Sequence, residues 1–184
     1  MIKVYALSGS HGIGKTITFV YLEKLLPLEK FAFVGEFAHW ILLQMGIRKS
    51  WKEKIFTNHS AYNYFENALD FCTISSYLVH RDKIIIADRS IVDNCAYRLL
   101  AGLPLNTISL LDYHRVNLYT FFMRSKEREN AEVTEAVRKI LVRFKLPYEE
   151  VHIIENKPKE TAKEIVDKIL KMEKSNAPNQ FQNR

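Results

Sequence analysis

Along the 184 residues, short apolar runs alternate with longer stretches in which apolar positions recur every three or four residues. The short runs predict strands buried on both faces: Ile2 to Leu7, Phe31 to Val34, Ile84 to Ala87, Leu118 to Phe122 and Val151 to Ile154. The helical period predicts helices over Lys15 to Leu25, Phe37 to Met45, Tyr62 to Val79, Ile91 to Leu100, Thr107 to Arg115, Ala131 to Lys145 and Lys159 to Met172. Pro27, Gly46, Gly102 with Pro104, and Pro147 sit just beyond helix ends, where the chain must leave helical geometry. Strands alternating with helices predict an α/β fold: three layers, with a mainly parallel five-stranded sheet between helices. Residues 1–173 read as one domain, and the polar, Pro-containing stretch 174–184 as a disordered tail.

Composition narrows the class without naming a task. A chain 47% hydrophobic and 26% charged has the balance of a soluble globular domain, and its apolar runs fall short of the roughly 20 residues that span a bilayer, so no membrane partner is expected. Met1-Ile2-Lys3-Val4 leads into the first strand without a secretory pattern, and Cys72 and Cys95 match neither a disulfide framework nor a zinc or redox motif. A cytoplasmic setting follows. The formal charge of +6 favours anionic partners, but Lys and Arg are spread along the chain beside Glu and Asp. A solvated basic surface and nucleic-acid binding are thus both open.

Gly9-Ser10-His11-Gly12-Ile13-Gly14-Lys15-Thr16 matches G-x-x-x-x-G-K-[ST] in full, between a strand and a helix start. Its glycines let backbone N–H groups surround phosphate oxygens. Lys15 supplies a point charge for the β- and γ-phosphates, and Thr16 a hydroxyl for a magnesium ion. His11 is a variable position and reads as a spacer; Ile17 continues the helix beside the phosphates. The apolar strand ending at Asp88 places a second carboxylate for magnesium at the same sheet edge, and Arg89 follows it there. Asp88 could instead cap the next helix, a task Ser90 can take. The histidines show no H-E-x-x-H spacing, so magnesium is the one metal invoked.

GSHGIGKT followed by a strand-terminal Asp88-Arg89-Ser90 resembles the thymidylate kinase and deoxynucleoside kinase branch of P-loop kinases. The fuller run Asp88 to Tyr97, with Leu146 to Val151, is similar to NadR-like kinase domains. The likeness spans Ile2 to about Met172 and implies a P-loop NTPase fold with a short lid, ATP as donor, and a nucleoside-like or nucleotide acceptor. Ile17 stands where many relatives carry another hydroxyl, so an α-phosphate hydroxyl contact is not carried over. The resemblance also implies a carboxylate near the acceptor at Glu36, as base or orienting group, and a lid over 124–130 in which Arg124 and Arg128, four apart, would share a helical face. Glu36 reads equally as an exposed helix-start residue, and 124–130 as a solvated turn.

Phe37, Trp40, Tyr64, Phe65 and Tyr97 are candidate pocket aromatics. The stripe Tyr62, Phe65, Leu69, Cys72 and Ser76 reads as packing, which turns Phe65 toward the core and favours Trp40 and Tyr64 for recognition. Three activities stay open: transfer to a small acceptor or a polynucleotide end, NTP hydrolysis as a switch, and nucleic-acid binding with a vestigial loop. A homodimer is open as well.

Overall fold

The computed structural model describes residues 1–47, 58–154 and 157–175. Its strands are β1 (Ile2–Ser8), β2 (Phe31–Val34), β3 (Ile84–Asp88), β4 (Val116–Arg124) and β5 (Tyr148–His152). They form one parallel sheet in the order β2-β3-β1-β4-β5, with Tyr5 of the central strand beside Ile86 and Tyr119. The helices are α1 (Lys15–Leu25), α2 (Ala38–Gln44), α3 (His59–Val79), α4 (Ile91–Leu100), α5 (Ser109–Tyr113), α6 (Ala131–Arg143) and α7 (Pro158–Ser175). No helix among the described residues is long and apolar enough to cross a membrane.

Strand alternation sorts the core. Val4 and Ala6 of β1, with Ile85 of β3, face α3, α4 and α6, whereas Tyr5, Leu7 and Ile86 face α1 and α7. Ile85 and Ile86 lie on opposite sheet faces, essentially inaccessible, and each contributes about 2 kcal/mol of burial free energy. A third cluster joins Ile41 and Leu42 of α2 to Tyr62, Phe65 and Leu69 of α3 and to Leu103 beyond α4. It sits apart from the two sheet faces and shapes the space beyond the first strand ends. Because all five strands run the same way, the loop after β1 and the carboxylate ending β3 meet at one edge, where ligands bind in open α/β sheets.

Several boundaries differ from expectation for local reasons. The helix expected over Thr107 to Arg115 is a 3₁₀ turn, Asn106–Ile108, then α5; the Ser109 hydroxyl donates to the Asn106 carbonyl at 2.6 Å. β5 begins at Tyr148 because the Pro147 carbonyl already accepts the Thr120 N–H at 3.0 Å. α7 runs past Met172 to Ser175, and Glu173, just beyond the expected helix end, accepts from the Tyr5 hydroxyl at 2.6 Å and Lys3 Nζ at 3.0 Å. The rest of the expected tail, 176–184, lies outside the described residues.

Candidate active site

The loop from Gly9 to Thr16 closes as its sequence demands. A Cβ at Gly9 would meet the Met123 carbonyl oxygen at 2.6 Å, and Gly14, in left-handed geometry at φ 104°, lets α1 begin at Lys15. Lys15 is buried, its Nζ donating to the carbonyls of Gly9 at 2.8 Å and Ser10 at 2.6 Å. Burial, with the Arg89 charge second, lowers its pKa to about 8. Ile13 is core, while His11, Gly12, Thr16 and Ile17 are exposed. Thr18, the next hydroxyl along, is fully buried in α1, so it does not replace the one missing at Ile17.

Asp88 ends β3 as expected, and the Thr16 hydroxyl bonds to it. Capping falls to Ser90, whose hydroxyl accepts the Val92 N–H at 3.2 Å. Asp88 Oδ1 is buried with no hydrogen-bond partner among the described residues, and burial is the main cause of its raised pKa. A hydroxyl beside a hard carboxylate with an unsatisfied oxygen is a donor set that suits magnesium.

Arg89 turns this corner at φ 76°, a left-handed conformation that strains a non-glycine residue by about 1 kcal/mol or more. Its N–H donates to the Leu7 carbonyl at 3.1 Å, which pins the bend. Arg89 Nε lies 2.7 Å from Glu36 Oε1, and Nη1 3.8 Å from Asp93 Oδ1. The approach is oblique: neither Nε nor Nη1 has an aligned hydrogen bond among the described residues. Arg89 Nη2 is 2.7 Å from His11 Nδ1, and the His11 ring lies 5.2 Å from that of Tyr97. His11 therefore joins the phosphate loop to the neighbouring residues, more than the spacer role expected.

These residues open onto a cavity of about 230 Å³ lined by Glu36, His39, Leu42, Tyr62, Phe65, Glu66, Leu69, Asn94 and Tyr97, among others. Here one expectation reverses. Phe65, 4% exposed, lines the cavity, while Trp40 at 57% and Tyr64 at 74% point outward and do not line it. The residues of α3 that reach the cavity are those of its buried face, so facing the core and facing the pocket are the same direction there. Phe37 packs partly buried beneath α2.

The lid segment is also built differently. Arg124 is the last residue of β4, and 125–130 form a turn, so Arg124 and Arg128 do not share a helical face. Arg124 is held by Glu129 at 2.7 Å and Glu150 at 3.0 Å, directed to the β5 and α6 side of the sheet. Arg128 and Lys126 are exposed on the turn, which is tied to the phosphate loop by the Asn130 N–H donating to the Ser10 hydroxyl at 3.2 Å.

Two residues escaped the sequence reading. Asp93 accepts from the Ser8 hydroxyl at 2.6 Å, the Gly9 N–H at 3.2 Å and the Ser90 N–H at 3.0 Å, sewing the end of β1 to the start of α4. Its signal was the spacing Ser90-x-x-Asp93, a capping box. Glu66 is 2% exposed and its pKa is pushed up to about 7, chiefly by burial, against the lowering influence of the Tyr62 hydroxyl. Its signal was an acid on the apolar stripe of α3, one residue after Phe65.

No protein-family model and no curated protein matches the sequence. Among solved structures, the thymidylate kinase from Ehrlichia chaffeensis is similar, with a TM-score of 0.57 and 15% identity over 91% of this chain and 98% of that one. The likeness establishes the three-layer P-loop NTPase fold.

Proposed function

We propose that the chain is an ATP- and magnesium-dependent phosphotransferase that moves the γ-phosphoryl group to a small nucleoside-like or nucleotide acceptor. The observation that carries this is the cavity opening directly off a complete phosphate loop through Arg89, His11 and Glu36. A switch that only hydrolyses nucleotide has no need of a second-substrate space. The structural neighbour, a thymidylate kinase, points the same way. The resemblance to NadR-like domains belongs to this proposal too.

In this reading Lys15 leaves the Gly9 and Ser10 carbonyls for the phosphate oxygens, regaining a full counter-charge. Thr16 and Asp88 hold magnesium, which when bound neutralises phosphate charge. Glu36, positioned by Arg89, takes the proton of an acceptor hydroxyl while that oxygen bonds to the γ-phosphorus and the bond to the β-phosphate bridge breaks, releasing ADP. Arg89 opposes the charge that develops on the transferring group. On the lid, Arg128 and Lys126 take the role that Arg124, held by its two carboxylates, does not. A closed lid would keep water out. No membrane partner enters this reading, and the cavity favours a small molecule over a polynucleotide end.

The test is γ-labelled ATP with magnesium and a panel of nucleosides and nucleotides. Label in an acceptor supports the reading; label only in free phosphate, whatever acceptor is present, replaces it with an NTPase.

A further inference from the structure

A second, much smaller cavity lies beside Asp88. It measures about 20 Å³ and is lined by Gly35 beyond β2, Thr73 of α3, Asn94 of α4 and the consecutive pair Asp88 and Arg89, among others. A water molecule needs about 10–15 Å³, so this space holds one water and no metabolite. Consecutive side chains of a strand point to opposite faces, but Arg89, at φ 76°, leaves that pattern, and both side chains of the pair line the same space.

The polar groups there are of both kinds. Asp88 Oδ1 is a buried acceptor with no hydrogen-bond partner among the described residues, and Arg89 Nε and Nη1 are buried donors with no aligned one. Leaving such atoms unsatisfied in a protein interior is destabilising, so an occupant that donates to the carboxylate and accepts from the guanidinium is favoured. A cation would suit Asp88 but meet the fixed positive charge of Arg89. An anion would suit Arg89 but meet Asp88 and Glu36, which also lines the space. Water, with two donor and two acceptor positions, meets both demands. Thr73 offers a third contact: it is buried on the inner face of α3, its hydroxyl can donate or accept, and it lines this space and not the larger cavity. Asn94 has its amide nitrogen engaged with Asp70 Oδ1 at 2.9 Å, which leaves its oxygen as a further acceptor.

Resting on the reading above of Asp88 as the magnesium carboxylate and Arg89 as the group that opposes phosphoryl charge, we propose that this cavity is the site of one ordered water bridging Asp88 Oδ1 to the Arg89 guanidinium, and that Thr73 is the positioning residue that holds it. A carboxylate has about four acceptor positions, so a water on one of them leaves others for the ion and for Thr16. The bridge keeps the metal-side carboxylate and the phosphoryl-facing guanidinium in one relative placement, and α3 takes part in the donor half through a single hydroxyl. Groups that orient a metal-binding carboxylate from behind set metal affinity as well as geometry. Magnesium affinity is therefore where Thr73 is felt.

Two measurements on the full chain test this, neither of which depends on transfer. The first is a high-resolution crystal structure of the nucleotide-free protein, in which one water is expected about 2.6–3.2 Å from both Asp88 Oδ1 and Thr73 Oγ1. The second is the magnesium concentration for half-maximal ATP binding, read by titration calorimetry without acceptor. Thr73→Val, which keeps the shape and removes the hydroxyl, should raise it about tenfold; Thr73→Ser, which keeps the hydroxyl, should leave it within about twofold of the unaltered protein. In the labelled-ATP assay Thr73→Val should lower kcat while the acceptor KM stays within about twofold, because Thr73 lies outside the larger cavity. A dry cavity, a metal ion in place of the water, or a magnesium requirement that Thr73→Val and Thr73→Ser leave alike would overturn the proposal. Free phosphate alone with every acceptor would remove phosphotransfer and leave this proposal standing. Should Thr73→Val fail to fold, the crystal structure of the unaltered protein decides.

Discussion

The two halves of the site are made of different material. The proposed donor half is one contiguous segment, Gly9 to Thr16, that would act largely through backbone groups and is completed by Asp88 one strand away. The proposed acceptor half is assembled from side chains on α2, α3, α4 and the β3–α4 corner, and its walls are held by a separate hydrophobic cluster. A half built on backbone geometry and one or two charges should fail nearly all at once when a key charge is removed. A half built from many packed side chains should respond in graded steps, according to which way each residue faces.

Lys15→Ala should be the most damaging change to transfer, because no other residue of the loop carries its charge; a loss of about 10³-fold or more in kcat/KM is expected in the labelled-ATP assay. A loss below about tenfold would move the donor charge elsewhere. Asp88→Asn should lower transfer about 10²-fold and raise the magnesium needed for half-maximal activity. It should also leave the nucleotide-free protein as stable or more so, since it removes a buried acid whose pKa is raised by burial. Thermal unfolding with and without Mg·ATP separates these opposite effects.

The depressed pKa of Lys15 predicts a pH signature confined to the donor half. With a folded-state pKa of about 8 against 10.5 when unfolded, the nucleotide-free protein binds fewer protons than the unfolded chain between those values. Stability from this group therefore rises as pH climbs through that window. Nucleotide affinity runs the other way: it is full below about pH 8 and falls by up to about tenfold per pH unit above it, with proton uptake on binding near pH 8. Titration calorimetry in buffers of different ionisation enthalpy reads that uptake directly; its absence would mean that Lys15 does not meet the phosphates.

Smallest of all, Tyr64→Ala and Trp40→Ala should change acceptor KM less than about twofold and stability by about 0.5 kcal/mol or less, since both rings face outward. Phe65→Ala, one residue from Tyr64, should cost about 3 kcal/mol of stability and weaken acceptor binding. If the two neighbours behaved alike, the assignment of α3 faces would be wrong.

Much of this was readable in the chain, for reasons of locality. The strands announced themselves as apolar runs, and the phosphate loop as eight consecutive residues, because the backbone geometry it needs is specified by Gly9, Gly12 and Gly14 where they stand. Asp88 was legible because a strand fixes where its last residue lies. The acceptor half was not. Periodicity showed that Phe65 lies on the buried face of α3, but a buried face can meet the core, a cavity or both, and only the packing of α2 and α4 against α3 leaves the space that Phe65 and Glu66 line. Spacing alone likewise placed Arg124 beside Arg128. In the folded chain β4 runs on to Arg124 and pairs with β5, so that its side chain meets Glu129 and Glu150 instead. The sequence determined the fold class, the loop and the carboxylate beside it, since each depends on residues near in sequence or on a strand's period. Tertiary structure decided what the second half of the site presents, because a cavity belongs to the packing between elements and is encoded in no single one of them.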